Sequence, residues 1–204
     1  MLISFVGCPC SGKTTTSSSL FNKLKLGGLP VENLSEEARV VIAKKRYLAK
    51  QEGKPFVLTD EDQWHIMKTQ ANREAALDLS LSDTPGGLVI ADGSCLNSLL
   101  YMSEEYRQDP AVKDLTKKMV SMTALVFYCK PVDLPDYVKG IDPNRVHNQD
   151  QSRVIDEQIL DLLRSIGVEN YTLLQGSMDT RLSRAYQAVN IKMGDIFRQI
   201  EHAA

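Results

Sequence analysis

The sequence predicts a three-layer α/β fold, with a five-stranded parallel sheet covered by helices on both faces. Two observations carry this. Short apolar runs of strand length alternate with longer helical segments along the whole chain, and the first run enters a glycine-bearing loop that opens a helix. The chain has 204 residues, 43% hydrophobic and 25% charged, which suits one domain over 1–204 with a sizeable core.

The elements follow in order. Leu2 to Val6 reads as a fully buried strand and Gly12 to Leu26 as the first helix, which Gly27-Gly28 ends. Leu29 to Leu34 is the second strand. Ser35, followed by Glu36 and Glu37, is an N-cap with acidic first-turn residues, so a helix runs from there to about Gln51. Gly53 and Pro55 break the chain. Thr59-Asp60-Glu61-Asp62 caps a long helix that continues to about Leu81. A turn at 83–87 leads to the third strand, Leu88 to Ala91. Helices are expected around Leu96 to Arg107 and Ala111 to Met122, separated by Pro110. Ala124 to Cys129 is the fourth strand. Residues 131–151 are polar, hold three prolines and read as a lid. An amphipathic helix (Gln151 to Ile166), a fifth strand (Tyr171 to Leu174) and a last helix (Ser177 to Glu201) complete the chain.

The loop between the first strand and helix reads GCPCSGKT, which fits G-x-x-x-x-G-K-[ST] in the strand–loop–helix context that this phosphate-binding motif requires. Gly7 turns the chain off the strand. Gly12 keeps a Cβ away from an incoming phosphate, and the loop N–H groups form an anion nest at a helix N-terminus. The expected nucleotide-binding residues are Gly7, Cys8, Pro9, Cys10, Ser11, Gly12, Lys13, Thr14 and Thr15. Lys13 reaches the β- and γ-phosphates of ATP, and the Thr14 hydroxyl ligates Mg²⁺. The predicted fold is thus a phosphate-loop NTPase fold, whose ligands bind at the carboxyl ends of the strands.

Other candidates lie at those same ends. Asp92 follows the third strand, where a carboxylate holds Mg²⁺ directly or through water. A hydroxyl nucleophile needs a carboxylate to accept its proton, and Glu36 and Glu37 follow the second strand. Arg39 stands three residues beyond Glu36, either as its helical ion-pair partner or as a substrate ligand. Arg145 and Arg153, in and just after the lid, are expected to neutralise charge on a transferred phosphoryl group. On the long helix, Trp64 is either core or a stacking platform, and Gln70 carries the donor–acceptor pair that reads a base edge.

These motifs resemble a family. GCPCSGKT, then SEEAR after strand two, DGS after strand three, and DPNR with Arg153 eight residues on look like the kinase domain of nicotinamide riboside kinase-type proteins. That group belongs to the broader phosphate-loop nucleoside and nucleotide kinases. The family's Glu-x-x-Arg is Glu36-Glu37-Ala38-Arg39 here, which implies Glu36 as base or hydroxyl ligand, with Glu37 as the fallback. The family's Asp-x-Asp is Asp92-Gly93-Ser94, without the second acid, and the lid pattern Asp-Gly-x-Arg is Asp142-Pro143-Asn144-Arg145. The resemblance also implies that Gln175 and Gly176, after strand five, contact adenine. Similar small kinases occur in bacteriophages, where some act on hydroxymethylated pyrimidines within DNA.

Composition removes several classes. A net charge of −2 gives no electrostatic argument for a nucleic-acid or membrane surface, and no segment approaches the length of a membrane span. The four cysteines, Cys8, Cys10, Cys95 and Cys129, have no zinc spacing. Two of them lie in the phosphate loop, where a disulfide would distort the nest, so a reducing cytoplasmic setting is expected (host cytoplasm if viral). No signal peptide is expected. The sequence therefore reads as an ATP- and Mg²⁺-dependent kinase with a nucleoside or nucleotide acceptor. The alternatives are a kinase acting on a base within DNA and an ATP-hydrolysing switch or assembly protein.

Overall fold

In the computed structural model, which describes residues 1–131 and 149–203, five strands form one sheet: β1 (Leu2–Val6), β2 (Val31–Leu34), β3 (Leu88–Ala91), β4 (Thr123–Cys129) and β5 (Thr172–Leu174). Their order is β2-β3-β1-β4-β5, and every pairing is parallel. The helices are α1 (Lys13–Leu26), α2 (Glu37–Glu52), α3 (Asp60–Ser80), α4 (Glu104–Arg107), α5 (Pro110–Met122), α6 (Gln149–Ser165) and α7 (Met178–Ala203). The lid expected over 131–151 falls almost wholly outside the described residues.

Strand periodicity sorts the core into two faces. Ile3, Phe5, Leu88, Ile90, Phe127 and Cys129 point to one side, where Leu20 and Leu24 of α1 and Ala185 and Val189 of α7 cover them. Leu2, Val89 and Ala91 point to the other and meet Met67 and Ala71 of α3 and Met119 of α5. Val6, Val126 and Tyr128 share that second side and are closed by Ile155, Ile159 and Leu163 of α6. Helix α2 buries none of its residues and packs outside this frame against α3. The three-layer, five-stranded parallel architecture expected from the sequence is the one observed.

Two local expectations change. The N-cap of α2 is Glu36, not Ser35, and no side chain of its own caps it. The first-turn N–H of Glu37 is taken instead by Gln70 Oε1 at 2.9 Å, from α3. A tertiary partner thus fills the role that Ser35 was expected to play. The single helix expected over 96–107 is split into a 3-10 segment, Cys95–Tyr101, and the one-turn α4. Ser103 makes the break: its hydroxyl accepts from Tyr106 N as a fresh N-cap, while its own N–H and O–H donate to the two Asp60 carboxylate oxygens.

The 3-10 segment is anchored from below by a buried acid. Glu74 of α3 has no exposed surface, and its Oε1 accepts from Cys95 N at 2.8 Å. Burial pushes its carboxyl from the ordinary 4.5 up to about 7, against the opposing pull of that hydrogen bond. A folded-state value above the unfolded one means the folded chain holds the proton longer. Stability is therefore full below about pH 4.5 and declines as pH rises toward 7, by about 3 kcal/mol in all. Glu74→Gln keeps the acceptor for Cys95 N and removes this slope. Urea unfolding between pH 4.5 and 8 should show the variant gaining on the wild-type chain as pH rises; parallel curves would contradict the assignment.

Candidate active site

The sheet order places the ends of β1 and β3 side by side, so the loop after β1 and Asp92 after β3 share one edge of the molecule. Gly7 sits where that loop leaves the strand. A Cβ there would lie 2.6 Å from Ser11 Oγ and 2.7 Å from the Cys129 carbonyl, so glycine is required by space. Gly12 takes φ +83 as the N-cap of α1, and Cys10 holds φ +65, a left-handed conformation rare for a residue with a side chain. Lys13 folds over the loop and its Nζ donates to the carbonyls of Gly7 at 2.8 Å and Cys8 at 2.9 Å. Pro9 is half-buried, and Thr14 and Thr15 are exposed on the first turn of α1. Cys8 is fully buried, which pushes its thiol up to about 12, and all four cysteines are free thiols.

One residue that holds this loop went unread in the sequence. Arg181, in α7, is 1% exposed and spends its guanidinium on three backbone carbonyls: Ser11 at 2.7 Å, Lys130 at 2.9 Å and Gly176 at 2.9 Å. It therefore ties together the phosphate loop, the end of β4 and the turn after β5. No local pattern marks it, because its partners lie up to 170 residues away. Arg181→Met should cost about 1–3 kcal/mol, since the buried Ser11 carbonyl loses its donor while the carbonyls of Lys130 and Gly176 lie on exposed residues. Denaturant midpoints would register this, and a loss near zero would show that solvent replaces the guanidinium.

The carboxylates divide cleanly. Glu37 Oε2 accepts from Arg73 Nη1 at 2.7 Å, an ion pair between α2 and α3. Glu36 is a quarter exposed, with Arg39 Nε 3.8 Å from its carboxylate. Burial raises the Glu36 carboxyl above its ordinary value; Lys13 opposes this, Asp92 adds to it, and Arg39 opposes it more weakly. The charges of the loop lysine, of Asp92 and of Arg39 thus all reach this one carboxyl. Gly93 packs against it so closely that a Cβ would stand 2.9 Å from Glu36 Cγ and Cδ. Asp92 is 5% exposed and its Oδ1 is buried without a hydrogen-bond partner.

Beside Glu36 lies a narrow recess of about 20 Å³ lined by α2, α3 and the 3-10 segment, including Glu37, Ile66, Gln70, Asn97 and Tyr101. Gln70 is in that wall, with its Oε1 accepting from Glu37 N. Trp64 is not among the lining residues. It faces the core side of α3, packing against the Met67 and Ala71 cluster with Lys68 5.9 Å from its ring. Spacing explains this, because 64 and 71 share one face of the helix and 63, 66 and 70 another. Arg153 is exposed in the first turns of α6, whose position is set by a 2.7 Å hydrogen bond from Tyr128 to Asp156. Gln175 and Gly176 are exposed after β5. Arg145 lies outside the described residues.

Among solved structures, the chain is similar to a crystal structure of NadR protein in complex with NR, at 16% identity and a TM-score of 0.66, covering 95% of this chain and 51% of that one. It thus spans about half the length of that relative. A gluconokinase from Sinorhizobium meliloti 1021 matches at 15% identity and a TM-score of 0.47, covering 97% of this chain and 95% of that one. Among curated proteins none matches. No helix among the described residues is long and apolar enough to cross a membrane. The AAA domain family matches residues 2–181, from the first residue of β1 to Arg181, the residue that fastens the loop. A phosphate loop on the central strand of a parallel sheet, inside a match of that extent, makes this chain a member of the AAA domain family.

Proposed function

We infer that the protein, acting as one domain over residues 1–204, is an ATP-dependent phosphotransferase that moves the γ-phosphate of ATP to a hydroxyl of a nucleoside- or nucleotide-type acceptor. The observation that carries this reading is the Glu36 carboxylate, set between the field of Lys13 and Asp92 on one side and the recess between α2, α3 and the 3-10 segment on the other. A hydrolase needs a positioned water, whereas a kinase needs a carboxylate facing an acceptor pocket.

Glu36 is the better of the two candidate bases, because Glu37 is committed to Arg73. In this reading the acceptor docks beside Glu36, its hydroxyl donates its proton to that carboxylate, and the oxygen attacks in line. Lys13 balances charge on the phosphates. Arg39 beside Glu36 and Arg153 on α6 add positive charge, as would Arg145. Gln175 and Gly176 contact the adenine. The residues present also fit Mg²⁺: Asp92 offers a buried carboxylate oxygen without a partner, and Thr14 an exposed hydroxyl at the helix start, both hard oxygen donors. The bound ion would supply charge neutralisation between the β- and γ-phosphates.

The test is transfer of labelled γ-phosphate from ATP with Mg²⁺ to three acceptor sets: free nucleosides including nicotinamide riboside, nucleoside monophosphates, and duplex DNA with ordinary or hydroxymethylated pyrimidines. Label on a small molecule is the expected result. Label on DNA would replace the free acceptor with a base in a strand. Free phosphate without labelled acceptor would overturn the kinase reading in favour of a hydrolase.

A further inference from the structure

Arg181 carries a positive charge into the interior behind the phosphate loop, and no acid meets it there. Its guanidinium donates to the carbonyls of Ser11, Lys130 and Gly176, and among the described residues no carboxylate pairs with it. A buried cation ordinarily needs an opposite charge, because neutral carbonyls repay only part of the hydration it gives up. The bond to Ser11 is the most enclosed of the three, and Ser11 itself is fully buried. The peptide from Ser11 to Gly12 is trans, so its C=O and N–H point in opposite directions. Holding the Ser11 carbonyl toward α7 therefore fixes the Gly12 N–H on the other side of the loop. The next carbonyl along, that of Gly12, is taken by Thr16 N and Thr16 Oγ1, both at 2.9 Å. The two carbonyls that frame the left-handed turn at Gly12 are thus both committed, one of them to α7.

We propose that Arg181 is a positioning residue for the triphosphate: it presents the Gly12 N–H to the anion in the loop, and that anion is the counter-charge its guanidinium lacks. Its bond to Gly176 puts the turn after β5 under the same control, so the phosphate loop and that turn respond as one unit. Two properties of the side chain matter here. The planar fork reaches several carbonyls at once, and the charge adds to the field behind the loop. Lysine would keep the charge without the fork. The proposal rests on the reading of this loop as the ATP site and names the residue that shapes it from behind.

The experiment compares the wild-type chain with Arg181→Met and Arg181→Lys. The probes are ATP and inorganic tripolyphosphate, which offers the anion without the nucleoside. Binding is measured by calorimetry at a temperature well below the thermal midpoint of each variant, so that only folded protein is titrated. Arg181→Met should weaken both probes about 10- to 100-fold, the scale on which misplacement of a binding group is felt. Arg181→Lys should weaken them less, by about 3- to 10-fold, because it retains the charge. In γ-phosphate transfer the loss should appear in KM for ATP and not in KM for the acceptor.

An arginine that serves the fold alone would lower the midpoint and leave the tripolyphosphate affinity of the folded chain unchanged. Wild-type affinity for tripolyphosphate in either variant would therefore overturn the proposal, and Arg181→Lys decides the matter should Arg181→Met not fold. A loss confined to ATP would also overturn it, since the phosphate loop would then be unaffected. So would a wild-type chain that does not bind tripolyphosphate. Weakened tripolyphosphate binding in a chain that transfers no phosphate would sustain the proposal and defeat the kinase reading. Transfer by a chain whose tripolyphosphate affinity ignores residue 181 would do the reverse.

Discussion

Lys13→Ala should lower phosphoryl transfer by about 10²- to 10³-fold, the scale seen when one preorganised charge-stabilising donor is removed from a site. The geometry makes the loss specific to the chemistry. Lys13 Nζ is held against the loop by the carbonyls of Gly7 and Cys8. An ammonium held there meets phosphate oxygens without having to be recruited from solvent. Its removal also affects Glu36, since Lys13 is the strongest influence opposing the rise in that carboxyl's pKa. The variant should therefore lose transfer and shift the acid side of whatever rate remains toward higher pH. The fold should survive, because Arg181 still fastens the loop through Ser11. ATP titration and thermal melting on the same sample would separate these effects, and retained transfer would remove Lys13 from the site.

How much of this was readable before the structure depends on the distance over which each feature is encoded. The β1–loop–α1 unit is contiguous, and its glycines and lysine carry their reasons within eight residues. The strands are legible because each is a short apolar run, and alternation with helices then dictates a parallel sheet. Features set by contacts remote in sequence were not legible. Ser35 looks like the cap of α2, but Gln70, 33 residues beyond Glu37, supplies the acceptor instead. Asn97 reads as an ordinary helical residue until the 3-10 segment, anchored on Glu74, turns it into the recess wall. Trp64 and Gln70 lie on one helix, and only the packing of α3 shows that one faces the core and the other the recess. Arg181 is one of several arginines in the last third of the chain, distinguished solely by where α7 docks.

Glu36→Gln should reduce turnover by about 10²- to 10⁴-fold, the range assigned to a positioned general base, with ATP affinity little changed. The pH profile provides the sharper test. A base acts in its ionised form, and burial raises the Glu36 carboxyl above 4.5. The wild-type rate should therefore climb with pH through an acid limb lying above the ordinary carboxylate range, and Glu36→Gln should flatten that limb. If Glu37→Gln flattens it instead, the base is the carboxylate paired with Arg73. Gly93 gives an independent way to move the same group. A Cβ at Gly93 would stand 2.9 Å from Glu36 Cγ and Cδ and 3.0 Å from Oε1, and the residue's φ of +79 disfavours any side chain. Gly93→Ala should thus displace the Glu36 carboxylate and lower turnover without weakening ATP. Combined with Glu36→Gln it should add almost nothing, because the group it displaces has already lost its function. Additive losses in the double variant would mean that Gly93 acts on the site by another route, for example through Asp92 beside it in the chain. The dependence of one loss on the other would tie the glycine after β3 to the carboxylate before α2 as parts of a single catalytic device.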